Sequence, residues 1–113
     1  MLKYFYIENY GCQMNIYDNE LIISILINNN LHYVDNIFKA DLIIINTCAI
    51  REKAELTIHN RLLYLNSIKK KSKKIIGLIG CLARRINYNY YFKNKILDFI
   101  LGPDKYRELP NII

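Results

Sequence analysis

Three residues in this 113-residue chain stand out for the chemistry their side chains can do: Cys12, Cys48 and Cys81. Their spacings, C-x35-C and C-x32-C, contain no close pair, so they do not match a zinc finger or ribbon. An odd number of cysteines without an export signal is a poor disulfide framework, and a thiol role in a reducing compartment fits better. Taken singly, each is the kind of cysteine most often buried as a small apolar residue. Their context differs from that expectation, because each follows an apolar run: FYIENYGC, LIIINTC and IIGLIGC. Three soft thiolates, with no histidine close in sequence to complete a zinc set, point toward an iron-sulfur cluster. Four cysteines are the usual complement, so three would leave one iron with an open position able to bind a substrate. A redox thiol set is the other chemistry left open; it needs a lowered thiol pKa and a partner within disulfide reach.

The elements that must position these thiols follow from the alternation of short apolar runs with segments of helical period. That pattern predicts an α/β fold, a mostly parallel sheet of about four or five strands with helices on both faces, in the manner of a flavodoxin- or Rossmann-like sandwich. Lys3 to Asn9 reads as a strand. Asp18 caps a helix carrying Leu21, Ile22, Ile25 and Leu26, which Asn28, Asn29 and Asn30 stop. A short strand is expected around Tyr33 and Val34. Leu42 to Ile45 are consecutive and mostly β-branched, as in a central strand covered on both faces, so a strand is expected over Asp41 to Thr47. Ala54, Ile58, Leu62 and Leu65 form one stripe on a helix from about Arg51 to Ile68. Ile75 to Ile79 and Ile96 to Leu101 read as two more strands, with a short helix or irregular crossover over Asn87 to Lys95 between them. The residues from Gly102-Pro103 through Leu109 resemble the start of a further helix.

In a parallel sheet the carboxyl ends of the strands share one edge, which is where such folds bind ligands, so thiols distant in sequence would converge there. Gly11 and Gly80 let the backbone turn tightly out of two strands. Asn46 and Thr47 precede Cys48 with short polar side chains able to bond backbone or sulfur. Asn15, Asn46 and Thr47 fit cap and turn roles equally well.

The remaining composition sets limits. At 13.5 kDa, residues 1–113 have room for one domain with one core, and 52% hydrophobic against 23% charged residues is the balance of a folded protein. No apolar run nears the ~20 residues needed to cross a bilayer and no signal peptide is evident, so the expectation is a cytoplasmic protein without membrane contact. A net charge of +6 favours an anionic partner. Part of it sits in Lys69, Lys70, Lys71, Lys73 and Lys74, which fit a solvated loop as well as a phosphate contact. Glu52 suits a helix N-terminus structurally. His32 and His59 read as surface or packed residues rather than ligands. Tyr88, Tyr90 and Tyr91, beside Lys93 and Lys95, could stack on bases but more simply cover the sheet.

GCQMN (Gly11 to Asn15), NTCAIREKAE (Asn46 to Glu55), GCLARR (Gly80 to Arg85) and the final DFILGPDKYRELPNII closely resemble the amino-terminal domain of the methylthiotransferases, a family of radical S-adenosylmethionine enzymes. GCQMN with IREKAE is similar to the branch that acts on N(6)-dimethylallyladenosine in tRNA. The resemblance implies that Cys12, Cys48 and Cys81 hold an auxiliary 4Fe-4S cluster that supplies or carries sulfur. The reaction would insert a methylthio group at C2 of the prenylated adenine next to the anticodon. Around the cysteines, Gly11, Asn15, Asn46, Thr47 and Gly80 are the supporting candidates, and Arg51 is the candidate for contact with a radical domain or substrate. Ala49 stands where the family often has Ser, and Arg84 lies where Gln or Glu is common. Neither position supplies a thiol. The radical domain's C-x-x-x-C-x-x-C motif is nowhere in these residues, nor is a terminal RNA-binding domain. S-adenosylmethionine and a second 4Fe-4S cluster would therefore come only with a radical domain in cis, and this chain by itself is expected to be inactive. Two rivals remain: a non-catalytic flavodoxin-like interaction module with structural cysteines, and a small basic RNA-binding module.

Overall fold

A computed structural model describes residues 2–10, 14–47, 52–80 and 88–113. Its centre is a five-stranded, all-parallel sheet in the order β2-β1-β3-β4-β5, with β1 Tyr4–Tyr10, β2 His32–Tyr33, β3 Leu42–Thr47, β4 Ile75–Gly80 and β5 Phe99–Leu101. This is the doubly wound order in which the chain moves outward from β1 to β2, then crosses to β3 and continues the other way. The expectation of a parallel α/β sandwich is met.

The residues on each strand explain why both faces are covered. On β3, Leu42 and Ile44 belong to one core cluster and Ile43 and Ile45 to the other, and all four are fully buried. An uninterrupted run of branched apolar residues suits only such a central strand. On the first face, Ile22 and Leu26 of α1 (Met14–Asn28) pack with Phe5 and Ile7, joined by Tyr106 and Leu109. On the second, Ile58, Leu62, Leu65 and Ile68 of α2 (Glu52–Lys69) pack with Ile76 and Leu78, joined by Tyr91 of α3 (Tyr88–Lys93). Of the stripe expected on α2, Ile58, Leu62 and Leu65 are buried, while the Ala54 side chain lies outside the described residues.

Three features differ from the sequence reading by more than two residues or in type. Helix α1 begins at Met14, so Asp18 lies inside it rather than capping it; the intervening Asn15, Ile16 and Tyr17 include no proline or glycine to stop the helix growing back. Strand β5 begins at Phe99 rather than Ile96. Ile96 and Leu97 are buried core residues, but the Asp98 side chain takes the Ile76 N–H at 2.8 Å, so regular pairing starts only one residue later. The end of the chain forms a 3-10 turn over Pro103–Glu108 that runs into a short helix α4, Leu109–Ile112.

The amino edge of the sheet is fastened by two aspartates. Asp41 Oδ2 accepts the Lys3 and Tyr4 N–H groups at 2.9 and 3.0 Å. Asp98 Oδ2 accepts the Ile76 N–H and lies 2.5 Å from Lys69 Nζ. Each carboxylate ties the start of one strand to the start of its neighbour.

Candidate functional site

At the opposite edge the strands end in register. Tyr10 pairs with Thr47 and Thr47 pairs with Gly80, so the last residues of β1, β3 and β4 stand in one cross-strand row. β1 and β3 are the two strands between which the winding reverses, and the crevice outside their carboxyl ends is the usual ligand site of such sheets. Cys12, Cys48 and Cys81 follow this row by two, one and one residues; they lie outside the described residues, as do Gly11, Ala49, Arg51 and Arg84. Asn15 has its backbone in the first turn of α1.

The described members of the row are built for close backbone approach. Gly80 has φ +104°, a conformation that side chains rarely adopt, and a β-carbon there would fall on the Thr47 carbonyl. Thr47 is fully buried and its hydroxyl donates to the Ile79 carbonyl at 3.1 Å, bridging β3 to β4. Asn46, also fully buried, donates from Nδ2 to Asn19 Oδ1 of α1 at 3.1 Å. The chain beyond Gly80, where the sequence predicts a tight exit, lies outside the described residues; Thr47 bonds backbone, as its short polar side chain allows, and Asn46 bonds a side chain of α1, so within β3 neither is a cap or a turn residue.

A charged network missed by the sequence reading lies against the same edge. Glu8 points to the α2 face. Arg61 Nη2 donates to Glu8 Oε2 at 2.7 Å, and Arg61 Nε lies 2.7 Å from Glu8 Oε1. The Tyr10 hydroxyl donates to that same Oε1. The guanidinium also sits over the Tyr64 ring, 5.0 Å from its centroid. Burial and the bond to Glu8 push the Tyr10 hydroxyl pKa well up; burial and the nearby Glu8 also raise that of Tyr6. The bond to Glu8 outweighs burial and raises the pKa of Arg61. Two signals could have disclosed this network: Glu8 is the one charge in a mainly aromatic and apolar strand, and Arg61 stands three residues from Ile58 on the inward flank of α2.

The lysine cluster is not one surface. Lys74 is buried, with its ammonium donating to the Phe38 and Ala40 carbonyls at 3.0 and 2.5 Å, and Lys69 pairs with Asp98. Burial lowers the Lys74 pKa against the opposing pull of Asp41. Lys70, Lys71 and Lys73 are the exposed members. His59 is packed, with Nδ1 2.7 Å from the Tyr91 hydroxyl, and Tyr91 is buried in the core while Tyr90 is exposed beside it. His32 is exposed on β2, beside the Tyr4 ring. Among the described residues no group of three or more His, Cys, Asp or Glu side chains is placed to hold a metal, and no helix is long and apolar enough to cross a membrane.

A doubly wound parallel sheet whose strand ends align at its reversal point, with Asn46 and Thr47 buried there, defines the class. Residues 4–102 match the model of Uncharacterized protein family UPF0004, and the chain belongs to that family. Its relatives include proteins named tRNA-2-methylthio-N(6)-dimethylallyladenosine synthase. The one from Amoebophilus asiaticus is 45% identical over 96% of this chain, and that from Chloroherpeton thalassium is 47% identical over 96%. The one from Karelsulcia muelleri is 47% identical over 98%. The chain spans 22%, 24% and 24% of the length of these three, respectively.

Proposed function

We propose that this chain is the cluster-binding domain of a tRNA methylthiotransferase, with Cys12, Cys48 and Cys81 as the three ligands of an auxiliary 4Fe-4S cluster. The observation that carries the reading is the cross-strand row of Tyr10, Thr47 and Gly80. Neighbouring strands lie about 4.8 Å apart, so the three strand ends span roughly 10 Å, and each cysteine is only one or two residues of chain beyond its strand. The donor chemistry fits the group: three thiols that follow the ends of neighbouring strands by one or two residues in sequence, a glycine in that row whose missing β-carbon allows close approach, and no carboxylate in the row itself.

When bound, such a cluster supplies an iron with an open coordination position at which sulfur can be held. The chain's own residues supply the frame. Thr47 fixes the end of β3 against β4, and Asn46 fixes it against α1. Gly80 ends β4 in a conformation open to glycine, against the Thr47 carbonyl. Asn15, Gly11 and Arg51 complete the supporting set. The substrate would be N(6)-dimethylallyladenosine in tRNA, and the radical chemistry, with its S-adenosylmethionine and second cluster, belongs to a radical domain in cis. Setting for setting, this is a cytoplasmic tRNA-modifying transferase.

The reading is tested by anaerobic reconstitution of the chain with iron and sulfide. About four irons per chain and an oxygen-sensitive brown chromophore are expected. Cys12→Ala, Cys48→Ala and Cys81→Ala should each lose the chromophore. A colourless product with three titratable thiols after reconstitution contradicts the reading and favours the interaction module with structural cysteines.

A further inference from the structure

Two hydrogen-bonded ties cross at the reversal point of the sheet. Asn46, at the end of β3, is bonded to Asn19 of α1, the helix that follows Cys12. Tyr10, at the end of β1, is bonded through Glu8 to Arg61 of α2, the helix that follows Cys48. Each helix is thus fastened to the strand end that carries the other cysteine. The second tie is the stronger by chemistry, since the carboxylate accepts a charge-assisted bond from Arg61 Nη2 on Oε2 and the Tyr10 hydroxyl on Oε1, while Glu8 and Arg61 carry full opposite charges. It is also well shielded, with side-chain exposure of 13% for Glu8 and 27% for Arg61.

We propose that Glu8, Arg61 and Tyr10 are positioning residues for the cluster: they fix Tyr10, the last residue of β1 and two residues before Cys12, against α2, the helix that follows Cys48. The inference rests on the cluster reading given above. Without the tie, the β1 ladder and the apolar cores on both faces still hold the sheet, because Phe5, Ile7 and Ile44 are packed in one core and Ile43, Ile45 and Ile58 in the other; what is lost is the hold on Tyr10 at the end of β1. Glu8 sits two residues before Tyr10, on the same side of the strand, so the carboxylate can grip the terminal side chain without bending the backbone.

The test is iron release from the reconstituted chain to an excess of a ferrous chelator, read beside the thermal midpoint of the same samples. Tyr10→Phe removes only the hydroxyl, and Arg61→Gln removes the charge. Asp98→Asn, at the far edge of the sheet, is the control for stability alone. Tyr10→Phe and Arg61→Gln are expected to release iron about tenfold faster than the parent, the lower end of what loss of an outer-shell partner costs a metal site. Asp98→Asn is expected to match the parent in release while lowering the midpoint. Release rates that follow the thermal midpoint alike in all three variants overturn the positioning role and leave the cluster reading intact. A parent chain that takes up no iron overturns both.

Discussion

Thr47 and Gly80 face one another across β3 and β4 so closely that the Thr47 carbonyl occupies the place of a β-carbon on Gly80. Because Gly80 also has φ +104°, the position is closed to other residues on two separate grounds. Gly80→Ala is expected to destabilise the fold by about 1–3 kcal/mol or more, from backbone strain joined to a clash with a backbone atom that cannot rotate away. Gly77→Ala meets a different obstacle, the Phe99 ring, and is expected to cost about 1–3 kcal/mol by overpacking. Urea unfolding separates the two: Phe99→Leu should restore stability to Gly77→Ala and should do nothing for Gly80→Ala. Equal rescue of both would contradict the contact with Thr47.

Asp41 gives the fold an acid-sensitive fastening. Burial alone would raise its pKa, but the N–H groups of Tyr4 and Lys3, with Lys74 nearby, outweigh burial and hold it below the ordinary 3.8. A carboxyl whose folded pKa is depressed adds stability that is fully present above the unfolded value and is lost as pH falls through the folded one. The contribution should therefore vanish as the pH is lowered below about 3.8. Unfolding midpoints taken between pH 5 and pH 2, values on the order of the carboxylate range, should fall less steeply for Asp41→Asn than for the parent. Parallel curves would remove Asp41 from this role.

The five lysines divide into two with partners in the fold, Lys74 on two carbonyls and Lys69 on Asp98, and three that are exposed. Lys74→Met leaves the Phe38 and Ala40 carbonyls without their donor, which costs about 1–3 kcal/mol for a buried polar group. Replacing Lys70, Lys71 and Lys73 together by Gln should leave stability within about 0.5 kcal/mol, as for other surface changes. The same triple variant tests the rival reading as an RNA-binding module: a steep loss of tRNA affinity at every sequence would support that rival.

The parts of this fold that the sequence disclosed are those set by local pattern. Leu42 to Ile45 could only be a strand buried on both faces, and the spacing of Ile58, Leu62 and Leu65 marked the inward stripe of α2. Polar Asn46-Thr47 and Gly80 marked the carboxyl ends of β3 and β4. The rest depended on partners far away in the chain. Nothing local to Ile96-Leu97 says that the Asp98 side chain will take the Ile76 N–H and delay the strand. Nothing local to Lys74 says that two carbonyls from the β2–β3 connection will receive its ammonium. Glu8 and Arg61 are separated by 53 residues, and only the stacking of α2 on β1 reveals that they meet.

The central claim is that three thiols distant in sequence serve one site. It is tested most directly by mapping alkylation of each cysteine by mass spectrometry, in the reconstituted chain and again after the iron has been stripped by a chelator. The account predicts that Cys12, Cys48 and Cys81 are all protected while iron is bound and all become reactive together when it is removed. A cysteine among the three that alkylates in the iron-loaded chain as fast as in the stripped chain would contradict it.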